Sequence, residues 1–388
     1  MKTIIQNVEK EFRNRYGDEY LLIKSPGRVN LIGEHTDYNE GFVLPAAVDK
    51  CIILAISKND SGQFRFFAID KSESYTADAS EEAKMSDLGW PNYLLGVVDE
   101  LRKRGDQIDG FDCVFSGNVP IGAGMSSSAA LENGVVFGLN RLFGLKIDEV
   151  DMVKIAQRAE NNFVGVQCGI MDQFVSMMGE EEHVLQLDCR SLEYELYPFK
   201  RDDLRIVLCD TKVRRELATS EYNKRRQECE VGVAILQKHD ESIQSLRDVS
   251  SDLLEDYKDE MPSVVYKRCR YVIDENQRLL DACADLKNDD YTSFGERMLG
   301  SHAGLRDQYE VSCKELDILV EAAQKIDGVF GSRMMGGGFG GCTINIVKEE
   351  AIDRFRRKIM EEYQERTGIT PEIYLTKVSG GTQFINES

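Results

Sequence analysis

Histidine is scarce in this sequence, four residues in 388, and none of its ten cysteines forms a CxxC or joins a Cys/His cluster at metal-ligand spacing. This argues against a zinc site and a disulfide framework, leaves the cysteines as reduced, mostly buried thiols, and makes the cytoplasm the expected compartment. Basic charge is also short: 48 Lys and Arg stand against 68 Asp and Glu, a formal charge of -20. Such a balance repels nucleic acid and anionic membrane surfaces, so neither is expected as a partner. No apolar run is long enough to span a bilayer, and the opening MKTIIQNVEKEFRNRYG mixes acids and bases as an amphipathic helix, unlike a signal peptide. Internal repeats, low-complexity segments and a flexible Gly/Ser linker are absent as well. The last absence is chemical: no GxxxxGKS or GxxxxGKT occurs, so a bound nucleotide would be held without a P-loop lysine.

What is there, 42% apolar and 30% charged residues, is a soluble globular composition long enough for two domains. A shift to a mainly helical, strongly charged pattern divides them into 1–195 and 196–388. Phe111, Cys113 and Phe115 alternate as in a strand, then VPIGAGMSSSAALENG leads from a glycine turn through three serines into a helix with Leu131, Val135, Leu139 and Leu142 at helical spacing. Gly122 and Gly124 allow a tight turn, and a helix start offers unpaired N–H groups to an anion, so the stretch reads as a phosphate cradle; a serine-capped helix after an ordinary turn is the alternative. Elsewhere SPGR implies a Pro-Gly turn, CIILAIS and FRFFAID around NDSG imply a β-hairpin, and 92–104 and 147–163 imply helices.

Three further clusters could carry chemistry. GRVNLIGEHTDYN gathers Arg28, Glu34, His35, Asp37, Tyr38 and Asn39; carboxylates there could accept from vicinal sugar hydroxyls, or the segment is a solvated polar loop. In CGIMDQF, Asp172 begins an apolar helix, where capping is its bland role, and Glu160 on the preceding helix could be a solvated charge. GGGFGG contains a formal GxGxxG, but a strand and not a helix follows, so the dinucleotide-binding reading fails; a backbone loop approaching a ligand or another loop fits better, with a flexible surface turn as the alternative.

Together SPGRVNLIGEHTDYNEGFVLP, VPIGAGMSSSAALE and RMMGGGFGGC resemble the three motifs of the GHMP small-molecule kinases, the first being similar to the galactokinase signature, and CGIMDQF and SEYNKRRQEC extend the resemblance over nearly the whole chain. It implies an α+β, two-domain GHMP kinase fold with the active site in the inter-domain cleft. The implied reaction is transfer of the ATP γ-phosphoryl group to the anomeric hydroxyl of galactose, giving galactose 1-phosphate and ADP, the first committed step of galactose catabolism. By resemblance Asp172 is the catalytic base and Arg28 stabilises transferring charge; Glu34, His35, Thr36, Asp37, Gly169 and Tyr222 bind sugar. Gly122, Ala123, Gly124, Met125, Ser126, Ser127 and Ser128 hold the ATP phosphates, and Ser128 and Glu160 ligate Mg2+. Galactose and ATP are thus the expected partners of a monomer. Met335 stands where the third motif usually has Thr, Met125 replaces the usual Leu, and Ala130 a common Ser. A kinase for a related sugar such as N-acetylgalactosamine, and a galactose/ATP sensor without turnover, remain as alternatives.

Overall fold

The apolar run CIILAIS forms a strand whose two faces both meet a core. Ile52, Leu54 and Ile56 enter the main cluster, while Cys51, Ile53 and Ala55 enter a smaller one with Val8 and Phe12. A period of two with both faces covered yields a continuous apolar run and not an alternating one. The computed structural model describes residues 1–120, 122–201, 203–213 and 218–385. In chain order the first part contains α1 (Lys2–Tyr16), β1 (Leu21–Asn30), β2 (Phe42–Val43), β3 (Pro45–Lys58), β4 (Gln63–Ala68), β5 (Glu73–Asp78), α2 (Pro91–Lys103), β6 (Phe111–Gly117), α3 (Ser127–Phe143), α4 (Glu149–Arg158), α5 (Met171–Met178), β7 (His183–Asp188) and β8 (Tyr194–Pro198). The second contains β9 (Leu204–Asp210), α6 (Ala218–Leu236), α7 (Ser251–Asp256), α8 (Ser263–Lys287), α9 (Tyr291–Asp307), α10 (Lys314–Gln324), β10 (Val329–Met335), β11 (Cys342–Lys348), α11 (Ile352–Thr367), β12 (Glu372–Thr376) and β13 (Gln383–Phe384).

Three sheets result, ordered β13-β1-β3-β6-β4-β5, β10-β11-β9-β12 and β2-β7-β8. The hairpin expected between β3 and β4 does not form. After β5 and α2, β6 inserts between them, antiparallel to β3 and parallel to β4, because a buried central position favours the apolar FDCVF. The Pro-Gly turn expected in β1 is instead a register irregularity between Pro26 and Arg28, and the strand runs on to Asn30. This bulge bends the strand where Arg28 leaves it. The helices expected over 92–104 and from 147 are present as α2 and α4, the latter continuing as a π-helical turn, Ala159–Val164.

The chain changes sheet at the connection from β8 to β9, just beyond the 195/196 division, and β13 returns to pair with β1. Val207 and Cys209 of β9 face α10 and α11, whereas Ile206 and Leu208 join the main cluster, so one core runs through both parts. Two close approaches hold the elements that frame the cleft. A Cβ on Gly134 or Gly138 would lie 2.4 Å from Leu54 Cδ1 or 2.7 Å from Ile23 Cδ1, so only glycine lets α3 lie this close to the sheet. Helix α5 is tied from behind: Ser176 Oγ donates to Pro26 O at 2.6 Å, and Thr382 N–H donates to Ser176 O at 2.9 Å.

Candidate active site

Arg28 leaves the bulge of β1 between two loops. Its backbone N–H donates to Met125 O at 3.0 Å, and its Nη1 donates to Gly124 O. The rest of the guanidinium forks onto Asp172 at the start of α5, Nε to Oδ1 at 2.7 Å and Nη2 to Oδ2 at 2.6 Å. Such bidentate, charge-assisted pairing fixes both side chains. Burial pulls Arg28 toward its neutral form, but Asp172 and Glu34 overcome this and hold its pKa above the ordinary value.

The helix α3 carries no side-chain cap. Ser126, in a left-handed conformation at φ 49, donates its hydroxyl to Asp172 Oδ2 instead. Its first-turn N–H groups therefore stay available to an anion, which favours the cradle over the capped helix. Met335 is buried with its methyl against Gly124, so in place of the usual hydroxyl it supplies apolar packing under this loop.

Two neighbouring cavities open at this site, and the Arg28–Asp172 pair lines the smaller. One, of about 320 Å³, is lined by Arg28, Glu34, His35, Asp37, Ser126, Ser128, Glu160, Gly169, Asp172 and Tyr222, together with Gly336, Gly337 and Gly338. The other, of about 710 Å³, is lined by Gly122, Gly124, Met125, Ser126, Ser127 and Ser128 and by an apolar wall including Trp90, Tyr93, Phe115 and Leu131. Ser126 and Ser128 border both. Two expected residues line neither: Ala123 is fully buried, and Thr36 Oγ1 lies 2.6 Å from Phe42 O and 3.0 Å from Gly33 O, closing the loop behind its neighbours.

The charges in the smaller cavity are unbalanced. Glu34 Oε1 accepts from Arg333 Nη2 at 3.1 Å and from Gly336 N–H at 2.8 Å; burial favours its neutral form, but these partners outweigh it and lower the pKa. His35 is driven down to about 4 by burial, against the opposing pull of Glu34 and of a hydrogen bond with the Gly337 backbone, so it is a neutral imidazole at physiological pH, with Nδ1 2.7 Å from Tyr38 Oη. Burial, then the nearby Asp172, raises Asp37 to about 7 and Glu160 to about 7. Glu160 lies in the π-helical turn, a distortion frequent at functional sites, where Gln173 Nε2 donates to its Oε2 at 2.7 Å and Ser128 also bonds it.

The raised Asp37 has a stability consequence. In the unfolded chain it ionises near 3.8, whereas in the fold it keeps its proton up to about 7. The folded state therefore binds the extra proton between these values and loses relative stability as pH rises through them. Asp37→Asn removes that penalty, and its Tm advantage over wild type is expected to be larger at about pH 8 than at about pH 5. Equal differences at both pH values, measured by scanning calorimetry, would dismiss the effect.

Sequence reasoning missed several residues here. Glu132 is fully buried on α3, 3.2 Å from Gln173 Nε2, and Arg333 is fully buried on β10. Glu132 follows Ala129, Ala130 and Leu131 on the helix face that Val135 and Leu139 continue, a signal that could have exposed it, whereas Arg333 carries no local signal.

Two α+β lobes around a cleft with glycine turns on both sides define a GHMP kinase: the GHMP kinases N terminal domain model matches 92–180 and the GHMP kinases C terminal model matches 282–365. A mevalonate kinase structure from Methanococcus jannaschii shares this fold at 17% identity and a TM-score of 0.64, covering 93% of this chain and 99% of that one. The galactokinase galactose-binding signature matches 10–58. A galactokinase of Roseiflexus is 42% identical over 96% of this chain and 95% of its own length, and one of Clostridium acetobutylicum is 41% identical over 99% and 100%. The crystal structure of Lactococcus lactis galactokinase complexed with galactose superposes with a TM-score of 0.94 at 35% identity, covering 98% of this chain and 100% of that one. The chain belongs to the galactokinase family.

Proposed function

We infer that the protein is an ATP-dependent sugar kinase that phosphorylates the anomeric hydroxyl of galactose. The observation that carries the reading is the Arg28–Asp172 pair lining a small cavity rich in charged side chains, which shares Ser126 and Ser128 with a larger one that has an apolar wall. The small cavity takes the sugar and the large one the adenosine, so the γ-phosphoryl group lies over the start of α3. Glu34 and Asp37 accept from sugar hydroxyls, and the neutral His35, Tyr222 and Gly169 complete the wall. In transfer the sugar oxygen bonds to the γ-phosphorus as the bond to the β–γ bridging oxygen breaks, and the hydroxyl proton passes to Asp172. Positioning and charge neutralisation supply most of the rate in such reactions, and Arg28 is held by its fork where that charge develops.

The donor set also suits Mg2+. Glu160, Glu132 and Asp172 crowd one region, where burial and their mutual repulsion raise both glutamates above the ordinary carboxylate range, and Arg28, a cation there among the described residues, is already committed to Asp172. Ser128 and Glu160 would hold the ion, which supplies neutralisation of the phosphate oxygens when bound. Glu160→Gln is expected to raise the magnesium concentration for half-maximal activity about tenfold or more, an order set by loss of one charged ligand. A metal titration superimposable on wild type would remove Glu160 from this role.

The reading is tested by ADP release with ATP and magnesium across galactose, N-acetylgalactosamine, glucose, arabinose and no sugar. Release dependent on galactose supports it. Release with only another sugar moves the assignment to a related sugar kinase, and silence with every sugar despite galactose binding makes the protein a sensor.

A further inference from the structure

Arg333 is the largest fully buried side chain in the molecule's described residues, and three of its four hydrogen bonds run to the 30–34 segment. From β10 it crosses to the other lobe, where Nε donates to Leu31 O at 2.7 Å and Nη2 donates to Asn30 O at 2.5 Å. The same Nη2 reaches Glu34 Oε1 at 3.1 Å, and Nη1 returns to Met334 O at 2.6 Å. Gly336, three positions on, donates its N–H to that same oxygen of Glu34 at 2.8 Å. Both contacts fall on Oε1, so Oε2 is the oxygen left to a ligand in the small cavity.

This arrangement is more than a filled core position. A glutamate has three rotatable bonds, and freezing them costs entropy that a ligand would otherwise have to overcome. Here Nη2 and the Gly336 N–H hold Glu34 Oε1 beforehand, while the fork of Nε and Nη2 on the carbonyls of Leu31 and Asn30 fixes the backbone that leads to it. The fork also joins the end of β1 to the strand that opens the 336–338 glycine turn, so two walls of the cavity are held in one register. Resting on the assignment of Glu34 to sugar binding, we propose that Arg333 is a positioning residue for sugar recognition, acting through Glu34 and reaching no substrate itself.

Steady-state kinetics of Arg333→Lys, Glu34→Gln and the double variant, with Tm recorded for each, test this. Arg333→Lys is expected to raise the galactose KM about tenfold while kcat and the ATP KM stay within about twofold, and to add less than about twofold in the Glu34→Gln background. Arg333→Gln, which retains amide donors for the two carbonyls, is read in the same way if the lysine variant does not fold. Costs that multiply in the double variant, or a joint loss of kcat and both KM values, would make Arg333 a structural residue and overturn the proposal. An unchanged galactose KM in Glu34→Gln overturns it at a different point, by removing Glu34 from the sugar site altogether.

Discussion

Asp172→Asn is expected to lower kcat by about a thousandfold, within the range of roughly 10² to 10⁴ over which a positioned general base acts, while galactose binding changes only a few-fold. The substitution keeps the volume at the start of α5 but loses the proton acceptor. It also turns an amide NH2 toward a guanidinium that now forks onto both carboxylate oxygens at 2.7 and 2.6 Å. Arg28 is then a buried cation without its closest anion, so a lower Tm accompanies the loss. ADP release and calorimetric galactose binding on the same preparation separate the two effects. Turnover at the wild-type rate would mean that the proton goes elsewhere and that Asp172 serves only to hold Arg28.

Gly169→Ala is expected to reduce kcat/KM for galactose by about 100-fold, the order that a displacement of roughly 1 Å at a reacting site can cost. A Cβ at this position would lie 1.7 Å from Asp37 Oδ2 and 2.5 Å from its Cγ, far inside contact distance. Asp37 is short and held in a polar, half-buried loop, so it can only rotate out of the cavity or push 165–169 away. Either movement withdraws an acceptor from the sugar. The fold itself is expected to stand, because Gly169 lies in a loop outside the core clusters, and an unchanged Tm with a raised galactose KM is the outcome that fits. An unaltered KM would place the Asp37 carboxylate outside the sugar site.

What the sequence revealed and what it hid follow from the range of the interactions involved. The glycine turns were legible because a backbone that turns through the left-handed region restricts its own residues locally: Gly124 has φ 72 and Gly336 φ 82. Arg28, Glu34, Asp37 and Asp172 were legible through the motifs in which they sit. The β3–β4 hairpin was misread because NDSG satisfies a local turn rule, whereas the partner of both strands, β6, arrives after α2. Pairing at long range overrode turn chemistry there. The apolar wall of the larger cavity went unread, Phe115 being taken only as part of a strand and Trp90 not singled out, since nothing in either distinguishes a side chain that lines a cavity from one that faces a neighbour. Arg333 was hidden for a similar reason, as its acceptors lie about 300 positions away along the chain.

The return of β13 to β1 bears on how the protein is made. Until Gln383 and Phe384 leave the ribosome, the outer edge of β1 has no neighbour, and Ser176 on the helix that carries Asp172 lacks the N–H of Thr382. The edge of β1 at Ile23 and Lys24 thus stays open through the synthesis of the second lobe, a state in which a strand from another chain can add to it. Asp172, on that same helix, acquires this support only once the chain beyond β12 has been made, so a polypeptide halted at β12 is expected to hold both lobes while α5 lacks its tie to Thr382.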